Sequence, residues 1–272
     1  MSSKPDGRRE GGLDKPGAGA LELALSALSH RYGPGTVQAG TPPPLQGLAT
    51  GVSCLDGLTG CQGLPRGRIS RLLGKPSSGA CDLGLALAAE ASRSESVALV
   101  DFTLEVDPGA VEAYGGELDN FWLVRPRSSE EGWAAARALA KAGVGLCLLV
   151  ADDWSRLTPG AAPAALLAAL SEGVGAGLVL GGGRIPAALK ERICLELECW
   201  RLDWSWAHGD ICGLRTEVQV SRSHLGAPGV SCQLQLNFPR PYPLRIGLEE
   251  SVVMGDEELA AEPLPEAAGS HR

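Results

Sequence analysis

The 272-residue chain carries 24 basic and 32 acidic residues, a net charge of −8, with 44% apolar and 21% charged side chains. This balance predicts a globular protein, and the acidity argues against one that coats nucleic acid through a basic surface. No apolar run approaches the roughly 20 residues of a membrane span. The opening MSSKPDGRREGG lacks the apolar stretch of a secretory signal, so a cytoplasmic protein is expected.

In chain order, 1–19 is polar and glycine-rich and is expected to be disordered. The stretch ALELALSALSHRY places Leu21, Leu25 and Leu28 on one face of a helix, which Gly33-Pro34-Gly35 stops. With the TPPP linker at 41–44, residues 20–44 form a separate segment. The region 45–248 then reads as one domain. Short apolar runs at 69–73, 97–102, 144–151 and 178–180 have the character of buried strands. Ala- and Leu-rich stretches at 81–91, 130–142 and 162–170 predict helices between them, with Ser128 and Glu131 as a capping box and Pro163 in a first turn. Strand and helix in alternation predict an α/β fold, a mainly parallel sheet with helices on both faces. After 190 the pattern becomes strand-rich (193–206, 214–222 and 230–238), an antiparallel extension of that sheet. Residues 249–272 hold seven acids and one arginine and read as an acidic disordered tail.

The eight cysteines show no CxxC spacing, and no histidine stands at a zinc-like offset from a cysteine pair. Most are expected to be small buried hydrophobes in a reducing compartment, and no metal site is expected. The four histidines have no triad or metal spacing.

The segment Gly74-Lys75-Pro76-Ser77-Ser78-Gly79-Ala80-Cys81 follows a strand and opens a helix. That is the layout of a phosphate-binding loop, G-x-x-x-x-G-K-[ST]. Both glycines are in place. Ala80 stands where a lysine would neutralise the terminal phosphates, and Cys81 where a hydroxyl would hold magnesium. Asp82 adds a negative charge in the first helical turn, where a phosphate would otherwise be favoured. Lys75, early in the loop, is the one residue that could replace the missing lysine.

The chain resembles the bacterial RecA recombinases. The run from Thr50 to Asp56 and Gly63-Leu64-Pro65-Arg66-Gly67-Arg68-Ile69 is similar to the family's approach to its phosphate loop, and Ser77-Ser78-Gly79 continues the match. Val100-Asp101, Val106-Asp107-Pro108, Asp119-Asn120, Leu157-Thr158-Pro159, 213–220 and 224–228 follow in the family's order. Residues 21–40, with His30-Arg31-Tyr32-Gly33-Pro34-Gly35, resemble the N-terminal helix and strand by which RecA protomers join. The resemblance implies a RecA-like core with an N-terminal docking helix. It implies too that Thr103 occupies the position of the glutamate that activates water, and that Asp152 keeps the position of the magnesium-binding aspartate as a vestige. Loss of the lysine, the hydroxyl and the glutamate together predicts no ATP turnover, and no cofactor is expected. The DNA-binding loops of the family also shrink, to 158–163 and 181–186, with Arg184 the one basic residue in the second.

Trp200, Trp204 and Trp206 cluster in ECWRLDWSWAHGD; on a strand, Trp204 and Trp206 share a face. Such a cluster is a core or edge-strand element, a partner patch, or a stacking platform for single-stranded nucleic acid. The expectation is a non-catalytic RecA-like accessory protein of DNA repair and the SOS response. Among degenerate RecA paralogues it looks most like the ImuA class. That likeness implies RecA, an ImuB-like protein and an error-prone replicative-type polymerase as partners in translesion synthesis. Leu21, Leu25, Leu28, Trp204, Trp206 and Arg184 are candidates for the contact surface. The alternative is a recombinase that binds ATP, magnesium and single-stranded DNA through Lys75 and Asp152.

Overall fold

The chain divides into two units, Met1–Pro44 and Leu45–Arg272. The computed structural model describes residues 23–24, 26–28, 45–157, 160–226, 228–238 and 249–251. In the first unit Leu23, Ala24, Ser26, Ala27 and Leu28 are helical and exposed. The leucine spacing predicts that helix. Leu21, Leu25 and the stretch 29–44 lie outside the described residues, as do 1–19 and 252–272.

The second unit is built on strands β1 (Gly47–Leu48), β2 (Leu64–Pro65), β3 (Ile69–Gly74), β4 (Val97–Asp101), β5 (Phe121–Val124), β6 (Leu146–Val150), β7 (Ala176–Leu180), β8 (Ile193–Ala207), β9 (Asp210–Ser223), β10 (Ser231–Asn237) and β11 (Glu249–Ser251). Its helices are α1 (Ser53–Leu58), α2 (Ala80–Ser92), α3 (Pro108–Ala113), α4 (Ser129–Lys141), α5 (Trp154–Leu157), α6 (Ala162–Gly173) and α7 (Ala187–Lys190). Among the described residues the main sheet has nine strands in the order β11-β10-β9-β8-β3-β7-β6-β4-β5. It is parallel from β5 to β8 and antiparallel from β8 to β11. β1 and β2 form a small antiparallel ribbon that the sequence pattern did not reveal. β11 pairs with β10 inside the segment expected to be an acidic tail.

The central strands are buried on both faces, which is why they read as continuous apolar runs rather than alternating ones. Their side chains divide by parity between two cores. Val97, Leu99, Leu146 and Leu148 join Leu83 and Leu87 of α2 on one face. Ala98, Val100, Cys147 and Leu149 join Trp133 of α4 and Leu166 of α6 on the other. Among the described residues five of the eight cysteines, including Cys147, Cys194 and Cys232, are buried. Burial pushes the Cys147 and Cys199 thiols up to about 12.

Helix α4 starts as its capping signal predicts. The Ser128 hydroxyl accepts the Glu131 N–H at 3.2 Å. The Glu131 carboxylate reaches one residue further back than a standard box and accepts from the Arg127 N–H at 2.9 Å. Among the described residues no helix is long and apolar enough to cross a membrane.

Candidate functional site

The loop from Gly74 to Gly79 connects the end of β3 to the first turn of α2. At Gly74 a Cβ would overlap the Ser78 hydroxyl and come within 2.9 Å of the Cys199 carbonyl oxygen. At Gly79 the backbone is left-handed, with φ +90, and a Cβ would meet Leu236 Cδ1 at 2.7 Å. Only glycine fits both conditions. Ser77 is left-handed as well, at φ +62, a conformation that costs a non-glycine residue about 1 kcal/mol.

The sheet's antiparallel extension holds this conformation. The Thr216 hydroxyl of β9 donates to the Ser78 carbonyl at 2.8 Å, and Arg201 Nη1 of β8 donates to the Ser77 carbonyl at 3.1 Å. The Arg201 guanidinium lies over the Trp204 ring at 4.2 Å, and Trp204 packs edge-on against Phe238. Neither Arg201 nor Thr216 was a candidate from sequence. Each is more than a hundred residues from the loop it holds, and no local pattern marks that contact.

A cleft of about 700 Å³ opens over the loop, lined also by the ends of β6 and β7 and by Glu198 of β8. Lys75, Cys81, Asp82, Asp152 and Glu198 all border it, so three carboxylates face one ammonium group. Ala80 is buried and supplies no polar group. The Cys81 thiol is pushed up first by partial burial, then by the charges of Asp82 and Asp152. Burial also raises the Asp82 carboxyl above its ordinary range, although the Tyr114 hydroxyl donates to it at 3.0 Å. The cleft therefore favours neither a thiolate nor a dense anion.

Asp101, at the end of β4, is fully buried. Its Oδ1 accepts from the Thr103 N–H, the Thr103 hydroxyl and the Leu104 N–H, and its Oδ2 from the Val106 N–H. Thr103 is thus a structural ligand of Asp101. Glu105 is exposed. Asp152 is exposed after β6, while Asp153 beside it caps α5 by accepting the Ser155 N–H and hydroxyl at 2.9 and 2.6 Å. The cap of α5 is therefore Asp153 and not Asp152.

The remaining candidates do not converge on the cleft. Arg184 is exposed in the turn after β7, and that turn is tied down by Arg71, which donates to the Gly183 carbonyl and pairs with Glu196. Trp204 is half-buried, whereas Trp206 near the hairpin tip is 62% exposed. Trp200, which the sequence places in the tryptophan cluster but not among the contact-surface candidates, borders a second groove of about 250 Å³ beside the loop, with Lys75 Nζ 6.0 Å above its ring. Among the described residues, no group of three or more His, Cys, Asp or Glu is placed to hold a metal ion.

Comparison with known proteins agrees with this fold. The RecA N-terminal domain family matches residues 19–179, more than half the chain. The chain belongs to the RecA family. Curated relatives include Protein RecA of Acholeplasma laidlawii, 34% identical over 144 residues, which is 52% of this chain and 43% of that protein. Protein RecA of Aquifex pyrophilus is 33% identical over 144 residues, 52% of this chain and 41% of its own length. Protein RecA of Corynebacterium jeikeium is 30% identical over 159 residues, 57% and 42% of the two chains. The chain therefore spans about two-fifths of the length of these relatives. In this RecA-family chain the loop between β3 and α2 runs into Ala80 and Cys81, and Thr103 follows β4.

Proposed function

We propose that this RecA-family protein works without ATP turnover, as an accessory protein in DNA repair that acts through protein contacts. The observation that carries the reading is the charge at the loop. Ala80 and Cys81 provide neither counter-charge nor hydroxyl, and Asp82, Asp152 and Glu198 border the same cleft. Phosphoryl transfer needs charge neutralisation and a positioned water. Here three carboxylates would oppose a triphosphate, and Thr103 is already bonded to Asp101. Within this reading the narrower role is that of an ImuA-class protein. Its partners would be RecA or a translesion assembly of an ImuB-like protein and an error-prone replicative-type polymerase, engaged through 21–40.

The test is calorimetric titration of the purified protein with a slowly hydrolysed ATP analogue and magnesium. Neither heat nor thermal stabilisation is expected. Micromolar binding that is lost on Lys75→Ala would sink the proposal and favour a recombinase with a non-standard loop. Deletion of 1–40 is expected to abolish co-purification with RecA or the polymerase partners while the core stays folded; survival of that association would remove the docking role of the segment.

A further inference from the structure

Gly181, Gly182 and Gly183 line the cleft, and Arg184 follows them, exposed. Gly183 is left-handed at φ +74, and a Cβ there would come within 3.3 Å of the Asp152 carbonyl oxygen. The turn is therefore shaped to lie close to the chain leaving β6. Backbone bonds tie its two ends. The Gly181 N–H donates to the Leu72 carbonyl at 3.3 Å, and the Pro186 carbonyl accepts from the Leu189 and Lys190 N–H groups at 3.1 and 3.0 Å. Between those ends the Gly183 carbonyl accepts from Arg71 Nη2 at 2.9 Å.

Arg71 belongs to β3, and its side chain is 7% exposed. Its Nη1 donates at 3.1 Å to Oε2 of Glu196, its register partner on β8. The other Glu196 oxygen accepts from the Ser221 hydroxyl of β9 at 3.3 Å. A polar relay thus runs from β9 through β8 and β3 to the turn. The Arg71 Nε–H, also buried, has no acceptor among the described residues. A buried guanidinium with one N–H unsatisfied is costly, and an apolar pair of similar volume at 71 and 196 would serve the packing as well or better. What an apolar pair cannot do is donate to the Gly183 carbonyl.

We propose that residues 181–186 form a preorganised contact surface and that Arg71 is its positioning residue. The bond to Gly183 latches the turn beside Asp152, which fixes the rim of the cleft and the place of Arg184 together. Glu196, held by Ser221, orients the guanidinium. Arg184 is thereby offered in one position, and a partner that meets it does not have to order the turn first. Without the latch the turn leaves Asp152 and Arg184 samples many positions. The latch depends neither on whether the cleft takes a nucleotide nor on which partner Arg184 meets.

Trypsin cleavage of the full chain after Arg184, followed by fragment mass, tests this, with cleavage after Arg215 of β9 as the internal measure of general loosening. Cleavage in a turn follows the population of its open form. Arg71→Met is expected to raise the Arg184 rate relative to the Arg215 rate about tenfold, the scale of one hydrogen bond to a charged group. The double substitution R71M/E196M is expected to recover the thermal stability that R71M loses and to keep the tenfold excess. An unchanged ratio in R71M would overturn the proposal. So would a ratio that returns to its unaltered value in R71M/E196M, because Arg71 would then serve packing alone. If neither variant folds, the unaltered chain decides. Cleavage after Arg184 as fast as in a free peptide of residues 180–189 would show that nothing holds the turn, whereas cleavage at least about tenfold slower is the result expected of a latched one.

Discussion

The Thr103 hydroxyl donates to Oδ1 of Asp101 across 2.6 Å. Asp101 is fully buried, and three backbone N–H groups also point at its carboxylate. The bond fixes the turn that leaves β4. A group that ties down a buried carboxylate in this way is not available to position water.

Thr103→Ala should therefore destabilise the protein by about 1.5 kcal/mol, the typical net value of a hydrogen bond to a charged group. Urea denaturation measures it. Thr103→Ser should keep most of the stability because it keeps the hydroxyl. Thr103→Glu should lose stability as well, without creating ATP hydrolysis.

Gly79→Ala tests whether the loop's shape depends on glycine. The substitution adds a Cβ at φ +90 and 2.7 Å from Leu236 Cδ1. Left-handed strain and overpacking together should cost about 2 kcal/mol. A loss below about 0.5 kcal/mol would mean that β10 yields easily and that the loop is not clamped.

Asp82 should limit stability at neutral pH. Burial is the main cause of its raised pKa, so the folded state prefers the protonated form. Between the unfolded and the folded pKa the native state holds more protons, and stability falls as pH rises through that window. Asp82→Asn should then stabilise the protein at neutral pH, and the gain should fade as pH drops below the ordinary carboxylate range. Tyr114→Phe removes a bond that favours the charged carboxylate and should push the Asp82 pKa higher still. Denaturation midpoints of the three proteins across the acid range provide the comparison.

Restoring the loop side chains should separate binding from turnover. Ala80→Lys with Cys81→Thr supplies an ammonium group and a hydroxyl at the start of α2. Magnesium-dependent binding of an ATP analogue should strengthen by about tenfold, the effect of roughly 1.4 kcal/mol. Hydrolysis should remain absent, because Thr103 is still the ligand of Asp101. Turnover in that variant would show that another carboxylate, such as Glu105, activates water.

Much of the central fold is legible along the chain. The apolar runs at 97–102, 144–151 and 178–180 each became a buried strand, the first shorter by one residue, the second shorter by three and the third longer by two. The Ser128 cap placed the start of α4. These signals are local, because a strand buried on both faces needs unbroken apolar sequence and a helix start needs a side-chain acceptor. The ribbon of β1 and β2 is too short to produce a pattern. The tryptophan cluster was legible as a cluster, but not in its exposure. A register irregularity lies between Arg201 and Asp203. Before it Leu197 and Cys199 face the core, and after it Trp204 does, so the inward parity changes along β8.

What the sequence by itself determined is the alternation of strands and helices through the central sheet, the turn glycines of the loop, and the presence of Ala80 and Cys81 where a lysine and a hydroxyl would be expected. Each is a property of residues close together along the chain. Only the tertiary structure decided that Arg201 and Thr216 clamp that loop, and that Asp82, Asp152 and Glu198 share one cleft with Lys75. Those residues come from separate strands and helices. What brings them together is the sheet order, in which β8 lies beside β3 although four other strands of the same sheet intervene in the sequence.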